Sequence, residues 1–91
     1  VSEMLLNAYP NPFSENATIK YTLPENGHVT MEVTSMLGSR VRLLSNQHHI
    51  AGEYLMNLAG DNMISGVYHV TLVFKNQNGK ESMQTVRMIK R

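Results

Sequence analysis

Cysteine and tryptophan are missing from the 91-residue chain, and aspartate occurs once, at Asp61. Without cysteine there is no disulfide staple, no thiolate nucleophile and no Cys-ligated zinc, although an oxidising compartment stays open to such a protein. Charge is scarce too. Eight Lys and Arg against seven Asp and Glu leave a formal net charge of +1, which creates no long-range field able to gather nucleic acid or an anionic membrane. No apolar run approaches the ~20 residues of a membrane span. The opening Val1-Ser2-Glu3 has neither the basic nor the apolar region of a signal peptide. The chain does not begin with Met, so it reads as a piece of a longer protein with any export signal upstream.

Catalysis needs a nucleophile with a base, paired carboxylates or a metal, and the inventory for each is thin. Asp61 lies in a Gly60-Asp61-Asn62 turn, where its side chain is expected to bond to nearby backbone amides. His48 and His49 are adjacent, so on an extended chain they point to opposite faces, and His28 and His69 show no spacing that would bring a metal set together. Glu32 and Glu53 fall on positions expected to be wet. The six glycines are dispersed singly at turns rather than gathered into a phosphate loop. Lys80, Arg87, Lys90 and Arg91 make the last segment basic, but no aromatic is interleaved to stack bases. We therefore expect no enzyme, cofactor, metal or nucleic-acid partner. The basic segment reads instead as a solvated edge strand.

What the chain does have is 42% hydrophobic residues against 16% charged, enough for a packed core and too little charge for disorder. Its length allows one domain. The hydrophobic period is two, not 3.6. Ile19, Tyr21 and Leu23 alternate with Thr18, Lys20 and Thr22. Val29, Met31 and Val33 form a second such run, turned at Gly38 into Val41 and Leu43, with Glu32, Arg40 and Arg42 on the wet face. Ser45 to His49 reads as a polar loop, and Tyr54, Met56 and Leu58 resume the alternation. Tyr68, Val70, Leu72 and Phe74 mark a central strand, and Asn78-Gly79 supplies the positive φ values of a tight hairpin. On a return strand over 80–90, Val86 and Met88 share one face and Met83 and Ile89 fall on the other, which a bulge or a twist between 83 and 86 would reconcile. Five of the seven methionines, Met4, Met31, Met56, Met63 and Met88, fit inward positions, with Met36 and Met83 the exceptions. With a first strand at Met4 to Tyr9, the pattern predicts an all-β, immunoglobulin-like antiparallel β-sandwich of about seven strands.

One segment has no need to look as it does. Tyr9-Pro10-Asn11-Pro12-Phe13 fixes φ twice within three residues, giving a stiff extended corner flanked by aromatics. It is either a rigid entry to the sandwich, with Tyr9 or Phe13 plugging the core, or a surface for a receptor.

That segment opens a series of blocks in order: Ala17-Thr18-Ile19-Lys20-Tyr21-Thr22-Leu23-Pro24, Val29 to Val41 around Gly38, Ala51-Gly52-Glu53-Tyr54, Ser65-Gly66-Val67-Tyr68, and a basic end at Lys90. Together they resemble the type A C-terminal sorting domain of the type IX secretion system of Bacteroidota, the Por secretion tail family, over about residues 5 to 91. The resemblance implies a targeting module. The cargo, N-terminal in the same parent chain, crosses the inner membrane by a signal peptide. The outer-membrane translocon then recognises the folded domain. A sortase-like cysteine protease removes it, at or upstream of Val1 to Asn7, with residues 1–7 a linker remnant. The cargo ends at the cell surface or in the medium, released or joined to an anionic lipopolysaccharide. The recognition elements it implies are Tyr9, Pro10, Asn11, Pro12, Phe13, Gly38, Gly66, Val67, Tyr68, Arg87, Lys90 and Arg91, the final strand first, because an edge strand offers unpaired backbone to a receptor or to a second copy. Three positions depart from the family pattern. Thr34 and Ser35 stand where an aromatic and Asp are usual, implying a less rigid turn, and Met63 replaces a common Leu. The competing class is an immunoglobulin-like adhesion or carbohydrate-binding accessory module, for which only Tyr9 and Phe13 remain as outward aromatics.

Overall fold

The computed structural model describes residues 3–91. Among them, seven strands follow in chain order and no helix occurs: β1 (Leu5–Tyr9), β2 (Asn16–Leu23), β3 (Gly27–Ser35), β4 (Arg40–His49), β5 (Gly52–Ala59), β6 (Gly66–Asn76) and β7 (Glu81–Lys90). They form two antiparallel sheets, β1-β2-β5 and β4-β3-β6-β7, that face each other as the expected sandwich. The core between them holds Ile19, Tyr21 and Leu23 from one sheet and Val29, Met31, Val33, Val70, Leu72 and Met88 from the other, each at most 2% exposed. Burial of side chains this size stabilises the fold by about 1.5–3 kcal/mol each. Met4, Met31, Met63 and Met88 are buried there, while Met36 and Met83 stand outside at 68% exposed.

Three expectations for the strands are corrected. Ser45 to His49 is not a loop but the second half of β4, pairing Met31 through Gly27. Its polar residues belong to a wet edge, and only Ser45 and His49 turn inward and are buried. Toward its start, β4 carries register shifts opposite Met31/Glu32 and Val33/Thr34. Each extra residue reverses the facing of those beyond it. Val41 and Leu43 therefore emerge at 41% and 45% exposed, while Arg42 pairs with Val33 and faces inward. In β7 no bulge intervenes: pairing with β6 is continuous from Glu81↔Lys75 to Lys90↔Gly66, and Met83 and Ile89 simply lie on the outer face. Met4 is buried and Leu5–Asn7 belong to β1; of the residues 1–7 read as a linker remnant, Val1 and Ser2 lie outside the described residues.

The two hairpins share one design. In each, a three-residue loop is closed by paired backbone bonds, Ser35 N–H to Ser39 O (2.9 Å) and Asn76 N–H to Lys80 O (2.9 Å). The last loop residue is a glycine at φ 86° (Gly38) or 85° (Gly79), a value that costs a side-chain-bearing residue about 1–2 kcal/mol. Only the glycine of the Asn78-Gly79 pair has positive φ. Asn76 Oδ1 instead accepts from the N–H groups of Asn78 and Lys80, both at 2.9 Å.

At the end of the sandwich where β1 begins, His49, Tyr21 and Tyr54 form a ring cluster. Tyr21 and Tyr54 stack at 5.2 Å between centroids, and His49 meets Tyr54 edge-on at 4.7 Å. His49 is thus buried at this end of the sandwich.

Candidate functional site: the C-terminal pole

The strand registers place every sequence-nominated residue at one end of the sandwich. Tyr9 ends β1, Gly38 turns β3 into β4, Gly66 to Tyr68 open β6, and Arg87 to Lys90 close β7. Gly66 pairs with Lys90, Val67 with Ile89 and Tyr68 with Met88, so two nominated segments form one ladder.

The Pro-rich segment docks onto that ladder from outside. Both X–Pro bonds, Tyr9-Pro10 and Asn11-Pro12, are cis, and the chain doubles across from β1 to β7 instead of running on as an extended corner. Asn11 brackets β7: its Nδ2 donates to Arg87 O (2.8 Å) and its Oδ1 accepts from Ile89 N–H (3.0 Å). Phe13 continues the pairing as a strand would, its N–H donating to Ile89 O (2.9 Å) and its carbonyl accepting from Arg91 N–H (2.8 Å). It forms a parallel bridge with Lys90. The edge of β7 is therefore not uncovered, since from the Arg87 carbonyl onward its outward backbone groups are taken by Asn11 and Phe13. By the same alternation Glu81, Met83 and Thr85 turn their backbone toward the open part of the edge.

Burial divides the nominated side chains. Phe13 is 1% exposed and Tyr68 4%, so both fill the core at this pole. The Tyr68 hydroxyl donates back to Ile64 O (2.6 Å), a corner that pins the β5–β6 loop. Tyr9, Pro10, Asn11, Pro12, Gly38, Gly66, Arg87 and Arg91 are exposed, and a groove of about 500 Å³ runs between Pro10, Pro12, Ser14, Glu15, Asn16 and Arg91. Of the two aromatics left for sugar stacking, only Tyr9 faces solvent.

Other cations at this end are tied down. Arg42 spans the open side of the sandwich, Nη1 donating to Ala59 O (2.6 Å) and Nη2 to Asp61 O (2.9 Å). Asp61 thus acts through its carbonyl within the expected turn. Arg40 stands 3.6 Å from Glu32. Lys90 Nζ donates to Arg91 O (2.8 Å), and its stem covers Gly60, where a Cβ would come within 2.7 Å of Lys90 Cε and 2.9 Å of Ser14 O. Despite Thr34 and Ser35, the β3–β4 turn is closed by two backbone bonds, the second from Gly38 N–H to Ser35 O (2.9 Å). Sequence reasoning missed Leu37 and Ile64, 93% and 81% exposed at the same pole. Single apolar residues at turn tips carry no periodic signal that would have found them.

Compared with known families, residues 7–89 match the model described as the secretion system C-terminal sorting domain. The chain belongs to this family. It is a sorting domain of the type IX system, a class of signal and not of catalyst. The match spans the Pro-rich segment, both hairpins and nearly all of β7. No curated protein and no solved structure matches the chain. Sorting domains of this system direct export to the cell surface or extracellular space, and among the described residues no helix is long and apolar enough to cross a membrane.

Proposed function

We propose that this sorting domain is a folded address read at its C-terminal pole and then removed. The cargo, N-terminal in the parent chain, passes the inner membrane by a signal peptide and reaches the periplasm. There the outer-membrane translocon engages the exposed parts of Tyr9–Phe13, the Gly38 turn, Gly66-Val67 and the Arg87–Arg91 end. A sortase-like cysteine protease then cuts ahead of Met4, where cleavage spares β1 and leaves the sandwich whole. The domain itself catalyses nothing. The observation that carries this reading is convergence: segments up to 78 residues apart, Asn11 and Ile89, are hydrogen-bonded into one surface.

The test fuses residues 1–91 behind a fluorescent protein bearing a signal peptide, in a bacterium with a working type IX system. Truncation at Thr85 is a poor control, because it removes Met88 from the core and half of the β6–β7 ladder. Charge reversal of the exposed Arg87 and Arg91 to Glu keeps the fold and alters the surface. Reporter at the surface or in the medium, reduced by the reversals, supports the reading. Retention of the wild-type fusion in the periplasm, while a known sorting domain exports the same reporter, refutes it.

A further inference from the structure

Two apolar walls face each other at the C-terminal pole, and nothing among the described residues covers them. Leu37 and Met36 stand at the tip of the β3–β4 turn, 93% and 68% exposed, and Ile64 stands on the β5–β6 loop at 81%. Between them lies a cleft of about 210 Å³ lined by Met36, Leu37, Ile64, Val67 and Tyr68. Neither wall is slack. The turn is closed by Ser35 N–H to Ser39 O and Gly38 N–H to Ser35 O, both 2.9 Å, and the loop is pinned by the Tyr68 hydroxyl on Ile64 O at 2.6 Å.

The fold supplies its own comparison. Ile50-Ala51-Gly52-Glu53-Tyr54 repeats the pattern of Ile64-Ser65-Gly66-Val67-Tyr68, with Tyr54 donating to Ile50 O (2.5 Å) as Tyr68 does to Ile64 O. Ile50 is also exposed, at 65%, but its neighbour is the polar Pro24-Glu25-Asn26 turn, whose Asn26 Oδ1 accepts from Ala51 N–H (2.8 Å). An exposed Ile comes with the corner. A facing Met-Leu wall does not, and it occurs only at the pole where the sorting elements gather.

We propose that this cleft is a preformed socket for one apolar side chain projecting from an acidic surface of a protein component of the export machinery. The proposal rests on the sorting reading and names what grips that pole. Concave walls held rigid suit an inserted side chain, and a socket that need not be ordered on binding retains more of its contact energy. Arg87, exposed on the same outer face of β7 as Ile89, the partner of Val67, favours an acidic rim beside the cleft. A lipid surface fits less well, because Arg40, Arg42 and Lys90 are already engaged within the domain, and a bilayer offers no protruding group.

The experiment uses the reporter fusion with Leu37→Asp and Ile64→Asp combined, and Ile50→Asp as the matched control. Wild type and Ile50→Asp should be exported, and the double variant should be exported about tenfold less while melting as wild type does. Equal export of the double variant overturns the socket, and failure of the wild type to be exported overturns the sorting reading on which it rests. Should the double variant not fold, a photocrosslinking residue at Leu37 decides in its place. Capture of an outer-membrane export component, abolished by Ile64→Ser, supports the socket. Capture of a second copy, or flotation with anionic vesicles that depends on Leu37, overturns it.

Discussion

At the scale of single residues, the Tyr21–His49 pair shows how a polar group is kept inside a small β-core. His49 Nδ1–H donates to Gln47 O (3.2 Å), which leaves Nε2 as acceptor for the Tyr21 hydroxyl (2.9 Å). Burial first, and the neighbouring Tyr54 second, push the Tyr21 hydroxyl above its ordinary value. The unfolded phenol ionises near pH 10, whereas the folded one holds its proton to higher pH. The stability it contributes is therefore complete below about pH 10 and is lost as the pH climbs through the folded value. Melting temperature should fall above that point, with Tyr21→Phe flattening the alkaline limb. At neutral pH the same variant should cost about 1–3 kcal/mol, since the buried His49 acceptor loses its donor; melts from pH 7 to 11 of both proteins check both effects.

At the scale of elements, the Pro-rich connection behaves as a partial eighth strand, with Asn11 imitating backbone on the edge of β7. Asn11→Ala removes both its bonds and should destabilise the domain by about 1–2 kcal/mol. Amide exchange should quicken most at Ile89, and at Leu72 in the β6 core by no more than the roughly 5–30-fold that the lost global stability allows. The motif was visible in the sequence, but its docking was not. Asn11 and Ile89 meet only through the tertiary fold, and no local pattern encodes a side chain posing as a strand. Legibility follows the same logic elsewhere. In β6 the alternation from Tyr68 to Phe74 is unbroken, so both the strand and its buried face could be read directly. In β4 two extra residues reverse the facing, so Val41 and Leu43 read as inward while Arg42, in fact inward, reads as wet. Ser45 to His49 looked like a loop because an edge strand can be polar along most of its length and still pair.

At the scale of the molecule, a body 39 Å long, 22 Å wide and 16 Å thick is polarised along its length. Glu3 and the start of β1 lie at one pole, and Arg91 lies at the other beside the Pro-rich clamp. Arg87, Lys90 and Arg91 sit with Glu15 and Asp61 at the pole of the exposed Leu37 and Ile64, whereas Glu25, Glu53 and Glu81 fall at the opposite end with Lys75 and Lys80. Whatever is joined ahead of Glu3 is held a full sandwich away from the surface that we propose is read.

The same arrangement has a mechanical consequence. A pull between Glu3 and Arg91 runs parallel to the strands, so the β1–β2 bonds from Leu5↔Thr22 to Tyr9↔Thr18, which lie across that direction, are strained side by side instead of being opened one at a time. The clamp on β7 is loaded in the same sense. Stretched by its ends in a force spectrometer, the domain should give way in one abrupt event, and Asn11→Ala should lower the force at which it does. A tag that must be hauled while attached to its load is well served by strands that slide only when all their bonds fail together.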